Sequence, residues 1–141
     1  MSGMFACVTV KNKHAIKLYI AVGIGGMIGA ICRYGISNLF EGSYHSFPYA
    51  TFTVNLFGCF LLSFLTNHAI IKRKLSPEVF TAVGTGIIGA FTTFSTFAVE
   101  TIKLSDAQPF MAIAYVLLSI FGGLVFCYGG YQLAGRKRDV Q

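Results

Sequence analysis

Apolar residues form four long runs along the chain, and short polar connections separate them. The runs are residues 18–40, 49–71, 79–102 and 110–133. A helix needs about 20 mainly apolar residues to cross a bilayer, and each run is long enough. The pattern predicts an all-α membrane protein in which residues 1–141 form a single four-span domain.

The composition leads to the same conclusion. Hydrophobic residues make up 55% of the chain and charged residues 11%, whereas charged residues are about a quarter of an ordinary soluble domain. This argues against a water-soluble enzyme. The four cysteines and three histidines have no paired metal-ligand spacing, so we expect neither a disulfide framework nor a zinc site.

Lysine and arginine are concentrated on one side of the predicted membrane. The net charge of +6 therefore indicates membrane topology and contact with lipid, and we expect no nucleic-acid partner. The exceptions are Arg33, inside the first run, and Lys103, in the third connection. Both termini are predicted to be cytoplasmic in a multi-pass protein of the cell membrane. The residues on the cytoplasmic side are Lys11, Lys13, Lys17, Lys72, Arg73, Lys74, Arg136, Lys137 and Arg138.

Small residues recur at helical spacing inside the runs. Gly25 and Gly29 stand four apart in the first run, and Ser119 and Gly123 do so in the fourth. This spacing lets two helix backbones approach closely. The glycines could serve packing within the chain, but we expect them to face a second chain, because four spans enclose little room for an aqueous path.

The third run contains a candidate break. Gly89 is followed by two adjacent β-branched residues, Thr92 and Thr93, midway along the run. An interruption near residues 89–93 would free backbone carbonyls that bind cations and N–H groups that bind anions. A continuous helix whose threonine hydroxyls bond to the preceding turn is an equal alternative.

Several side chains inside the runs carry polar or ring chemistry. The amide of Asn55 needs partners at membrane depth, which either packing or a functional site would supply. Phe94 and Phe97 share a helical face; they serve packing or present positive ring edges to a small anion. Tyr115 and Ser119 place two hydroxyls on one face of the fourth run.

Three stretches resemble the signature sequences of the Fluc/CrcB fluoride channels. They are GAFTTFSTF (residues 89–97) with Glu100, VNLFG (54–58) and GMIGAICRY (26–34). They occur in the family's order and on the corresponding spans, and the resemblance extends from about residue 16 to about residue 135.

This resemblance implies a channel that exports cytoplasmic fluoride passively and relieves fluoride toxicity. It also implies an antiparallel dimer with two pores and a broken third helix. The backbone carbonyls of Gly89 and Thr92 would bind a structural sodium ion (Na+) at the dimer centre. The pore residues implied by the family's motifs are Asn55, Phe94, Phe97, Thr96, Tyr115, Ser119, Arg33 and Glu100.

Each implied pore residue has a role in the family. Asn55 would donate hydrogen bonds to fluoride, and Phe94 and Phe97 would line the pores with ring edges. Arg33 would lie toward the aqueous vestibule, although from the residue alone it is either an interfacial anchor or an anion attractor. The remaining residues would form the polar track or lie near it: Tyr115, Ser119, Glu100 and, as a further candidate, Thr96.

Two departures from the family pattern leave alternatives open. The one-sided basic charge differs from that of self-paired family members, so the partner is either an identical chain or a homologous chain of opposite orientation. Gly123 stands where the polar track commonly continues with a hydroxyl, so the track is shorter or one pore of a mixed dimer is impaired.

Three other functions compete with the channel. A proton-coupled drug exporter needs a midplane carboxylate, but the one acidic residue inside a run, Glu100, lies near the end of its span. A membrane-embedded enzyme would need a nucleophile, base and acid at suitable spacing, which the sequence does not offer. A subunit that dimerises without conducting is the third alternative.

Overall fold

The structure, a computed structural model, describes residues 2–40, with side chains from residue 15 onwards, and residues 47–135. All regular structure in these ranges is helical, and four segments are long and apolar enough to cross a membrane. The prediction of an all-α, four-span chain is confirmed. The spans are Ala15–Phe40, Tyr49–Asn67, Pro77–Ala107 and Pro109–Gly135. The predicted orientation depends largely on basic side chains that lie outside the described part of the chain. They are Lys11, Lys13, Arg136, Lys137 and Arg138.

The first two spans are single helices, α1 (Ser2–Phe40) and α2 (Tyr49–Asn67). Helix α2 ends four residues before the predicted end at residue 71, because the backbone of His68 is extended (φ −80°, ψ 102°). The Nδ1 atom of His68 accepts the N–H of Ile71 at 3.3 Å. This cap starts a separate short helix, α3 (Ala69–Lys74).

The third span is built from successive helical pieces. The hydroxyl of Ser76 accepts the N–H of Val79 at 3.4 Å and caps its start. Thr92 (ψ 159°) and Thr93 (φ −147°, ψ 124°) are extended. Their extended backbone separates the helical pieces on either side of them. The pieces are α4 (Pro77–Thr81), a π-helical stretch (Ala82–Ile88), α5 (Gly89–Phe91) and α6 (Phe94–Ala107).

The fourth span is one helix, α7 (Pro109–Gly135). Helix α6 continues through Lys103 into the predicted connection at residues 103–109, and only Gln108 separates it from α7. The backbone of Gln108 is not helical (φ −146°, ψ 81°), and a residue that precedes a proline is disfavoured from the helical region. The proline, and not the charge at Lys103, therefore ends the third span.

Helix α1 packs against the third span of the same chain. Gly25 and Gly29 are both buried at this contact. An added Cβ would collide with the carbonyl oxygen of Ala82 at Gly25, and with that of Ile87 at Gly29. The expectation that these glycines face a second chain is therefore wrong: they are needed for close packing within the chain.

Helix α2 packs mainly on α7, and small residues again allow the contact. An added Cβ at Gly130 would collide with the carbonyl oxygen of Phe60. Gly123 is buried, and a Cβ there would lie 3.5 Å from the Sγ atom of Cys59. The predicted small-residue face of α7, Ser119 with Gly123, is thus also directed into the chain.

We predict that Gly29→Ala destabilises the protein and that Gly35→Ala does not. The first substitution forces a methyl group onto the Ile87 carbonyl, and overpacking of this kind costs about 1–3 kcal/mol. The second lies on the same helix, where nothing is within 4 Å of an added Cβ. The measurement is the thermal unfolding midpoint in detergent. Equal midpoints for the two variants would contradict this packing.

Candidate functional site

Asn55 on α2 pairs with the backbone at the break in the third span. Its Nδ2 atom donates to the carbonyl oxygen of Thr93 at 3.0 Å, and its Oδ1 atom accepts the N–H of Thr93 at 2.9 Å. A backbone N–H only donates and a carbonyl only accepts, so the orientation of the amide is fixed. The side chain thereby satisfies both backbone groups of a residue that has left the helix.

The two threonines of the break complete its hydrogen bonding. The hydroxyl of Thr92 donates to two carbonyl oxygens, that of Ile88 at 3.2 Å and that of Gly89 at 3.3 Å. Thr93 Oγ1 accepts the N–H of Thr96 at 3.2 Å and so caps the start of α6. Thr92 therefore lies at the end of α5, and Thr93 caps the start of α6.

A cavity of about 420 Å³ adjoins the break. The buried hydroxyl of Ser119 has no hydrogen-bond partner among the described residues. Asn55 Nδ2 carries a second N–H that the Thr93 carbonyl does not use. Both residues line the cavity, together with the rings of Phe94 and Phe97. The predicted site residues that line it are Asn55, Gly89, Thr92, Phe94, Phe97 and Ser119.

One side of this cavity lies on the surface of the chain. The rings of Phe94 and Phe97 are 6.0 Å apart between centroids, with an angle of 40° between their planes. Phe94 is 79% exposed, and Ser95 and Thr96 beside it are exposed as well. Polar side chains at membrane depth seldom face lipid, so Ser95 and Thr96 make this face a candidate for contact with protein or water.

Glu100 connects three helices through its carboxylate. Thr51 Oγ1 on α2 donates to Oε1 at 2.9 Å, and the hydroxyl of Tyr115 on α7 donates to Oε2 at 3.0 Å. The ring of Tyr115 packs 5.0 Å from that of Phe97, which lines the cavity. Thr51 is not among the residues predicted from the sequence, although its position one helical turn before Asn55 is a signal that could have revealed it.

The remaining predicted residues, Arg33 and Thr96, line a second cavity of about 150 Å³. Thr51 and Thr93 also line it, and Thr93 contributes to the main cavity too. The structure therefore does not place Arg33 and Thr96 in the main cavity. It places them in a neighbouring one, with Thr93 between the two.

The carbonyl oxygens of Gly89 and Thr92 have the chemistry of hard-cation ligands. They belong to the C-terminal end of α5 and the break beyond it, where unpaired carbonyls carry partial negative charge. The Gly89 carbonyl accepts only the 3.3 Å bond from Thr92 Oγ1 among its side-chain contacts, and a carbonyl oxygen has a second lone pair. These two carbonyl oxygens are chemically suited to bind a cation such as sodium, and further oxygen ligands would be needed to complete its coordination.

Comparison with known protein sequences identifies a matching family and similar proteins. A profile of the family described as "CrcB-like protein, Camphor Resistance (CrcB)" matches residues 20–131, a range that includes all the predicted site residues. The chain is 48% identical over 118 residues to "Fluoride-specific ion channel FluC 1" of Bacillus cereus, covering 82% of this chain and 86% of the relative. It is 44% identical over 119 residues to "Fluoride-specific ion channel FluC 2" of Listeria monocytogenes, covering 84% and 91%.

We predict that Asn55→Leu destabilises the chain more than Asn67→Leu. The first leaves the N–H and carbonyl of Thr93 unsatisfied, at about 1–3 kcal/mol for each group. Asn67, on the same helix, donates only to the Ser63 carbonyl and the Thr66 hydroxyl of its own helix end. Amide hydrogen exchange at Thr93 and thermal unfolding in detergent measure the difference. Unchanged exchange in Asn55→Leu would show that the pairing does not protect the break.

Proposed function

The chain belongs to the CrcB family, and from that premise we propose that it is a fluoride-specific ion channel. It is a multi-pass membrane protein. The relatives named above are ion channels and not enzymes, and we assign no catalytic residue to this chain.

The observation that carries the proposal is the chemistry of the main cavity. Fluoride is small and strongly hydrated, so a pore must replace its water with fixed hydrogen-bond donors. The second N–H of Asn55 and the unpartnered hydroxyl of Ser119 are such donors. The edges of Phe94 and Phe97 carry partial positive charge, which favours a small anion over a cation. A narrow path between these groups would discriminate against the larger chloride.

The other polar groups would extend this path beyond the main cavity. Arg33 and Thr96, in the second cavity, would attract the anion toward the break. The Tyr115 hydroxyl and Glu100 would continue the track beyond Phe97. These assignments give each residue beyond the main cavity a place along the permeation route.

An antiparallel dimer would cover the exposed face of the break. Gly89, Phe94, Ser95 and Thr96 are all exposed on the single chain, and hydrocarbon does not satisfy such a surface. A second subunit inserted in the opposite orientation would bury it and complete two pores. That subunit is either an identical chain or a homologous chain of opposite topology.

Within this dimer, the backbone carbonyls of Gly89 and Thr92 would hold a structural sodium ion between the two broken helices. A bound cation supplies a fixed positive charge near the anion path. The two carbonyls come from one chain, and the partner would supply further oxygens.

Export through such a channel needs no coupled energy source. In the cell membrane, with both termini of this chain in the cytoplasm, the inside-negative potential drives an anion outward. Passive release of this kind would relieve fluoride toxicity.

We predict that Phe94→Ile slows fluoride efflux about tenfold or more, because loss of one ring edge removes a favourable anion contact. The measurement is efflux from liposomes, followed with a fluoride electrode. Phe121→Ile is the matched control, since Phe121 on α7 is 62% exposed and does not line the cavity.

Unchanged efflux in Phe94→Ile would refute the pore assignment. If the unmodified chain moves an organic cation in exchange for protons and does not move fluoride, its function is that of a proton-coupled exporter. If the chain assembles but conducts no fluoride, it acts as a non-conducting subunit.

We further predict that exchanging sodium for choline throughout purification lowers the thermal stability of the assembled dimer. A cation bound only by the folded assembly stabilises it by mass action. Readdition of sodium should restore the unfolding midpoint, and the same concentration of lithium serves as a specificity control. A midpoint that does not respond to sodium would contradict the cation site.

A further inference from the structure

A row of four aromatic rings leads from the start of α2 to the break in the third span. The Phe47 centroid lies 5.3 Å from that of Tyr115, with an interplanar angle of 84°. The Tyr115 ring is 5.0 Å from Phe97, and Phe97 is 6.0 Å from Phe94. One end of the row lines the main cavity, and the other is Phe47, which does not line it.

Phe47 packs on a residue whose orientation matters. Tyr115 is 0% exposed, and its hydroxyl donates to Glu100 Oε2 at 3.0 Å. Its ring is held edge-to-face by Phe47 and contacted by Phe97 as well. Edge-to-face pairs are directional, so they restrict how a ring turns. Phe47 is itself held by Phe52, at 5.5 Å and 77°.

We propose that Phe47 is a positioning residue for ion permeation, an inference that rests on the proposed channel function. It holds Tyr115 in the orientation in which the hydroxyl donates to Glu100 and the ring supports Phe97. Phe47 touches neither the cavity nor the carboxylate in the described contacts, and it therefore acts through Tyr115.

Removing this ring has a specific consequence. Without Phe47, one side of the Tyr115 ring gains free space, and a change in the tilt of the side chain about its Cα–Cβ bond would break the hydroxyl bond to Glu100. The Phe97 edge beside the cavity would then lose part of its support. Selectivity for fluoride over chloride should fall even where the chain stays folded.

The test compares Phe47→Leu, Phe47→Tyr and Phe52→Leu in the full chain reconstituted in liposomes. We expect Phe47→Leu to lower the ratio of fluoride to chloride efflux about tenfold. Phe47→Tyr keeps the ring and should stay within about twofold of the unmodified chain. Phe52→Leu should lower the ratio less than Phe47→Leu does, because Phe52 supports Phe47 but forms no ring pair with Tyr115 among the described residues. Equal ratios for Phe47→Leu and the unmodified chain would overturn the proposal.

A double-mutant cycle with Tyr115→Phe tests the route of action. If Phe47 works through the Tyr115 hydroxyl, Phe47→Leu adds little to the loss already caused by Tyr115→Phe. Fully additive losses would show that Phe47 acts by another route and would overturn the proposal. If Phe47→Leu does not elute as the assembled protein, Phe47→Met, which retains more volume without a ring, takes its place under the same criteria.

Failure of this inference is distinguishable from failure of the proposed function. If the unmodified chain does not move fluoride, the channel proposal fails and this inference fails with it. If the unmodified chain is selective for fluoride and the Phe47 variants match it, only the positioning role of Phe47 is rejected.

Discussion

The structure depends on the pairing of one side-chain amide with one backbone residue at membrane depth. A helix that breaks in hydrocarbon leaves N–H and carbonyl groups with no water to satisfy them. Asn55 satisfies both groups of Thr93 with bonds of 3.0 and 2.9 Å. The amide can do this because it carries a donor and an acceptor side by side, as a peptide group does. An aspartate or a leucine at this position would lack the donor or both.

Close packing makes that pairing geometrically possible. At Gly58, one helical turn after Asn55, an added Cβ would collide with the Thr92 side chain. On the other side, Gly29 lets α1 approach the carbonyl of Ile87, just before the break. The third span is therefore held between two glycine contacts within its own chain. The surface around Phe94 is exposed on the single chain, and the proposed partner subunit would cover it.

Much of the fold could be predicted from the sequence, because hydropathy and helix length alone define four spans. The end of α2 at Asn67 depended on a side-chain cap by His68, which hydropathy does not detect. The spacing of Gly25 and Gly29 predicts that two backbones approach closely, but it does not show that both belong to the same chain. Thr92 and Thr93 marked the position of the interruption, but the partner of Thr93 lies 38 residues away in the chain. A contact of that range becomes visible only after folding.

The proposed function requires that the cavity beside Asn55 passes fluoride and rejects chloride. It is tested most directly by the reversal potential of the current through reconstituted protein, with fluoride on one side of the bilayer and chloride on the other. We expect a current that reverses close to the limit set by fluoride permeation alone. A reversal potential near zero, or a current carried mainly by chloride, would contradict it.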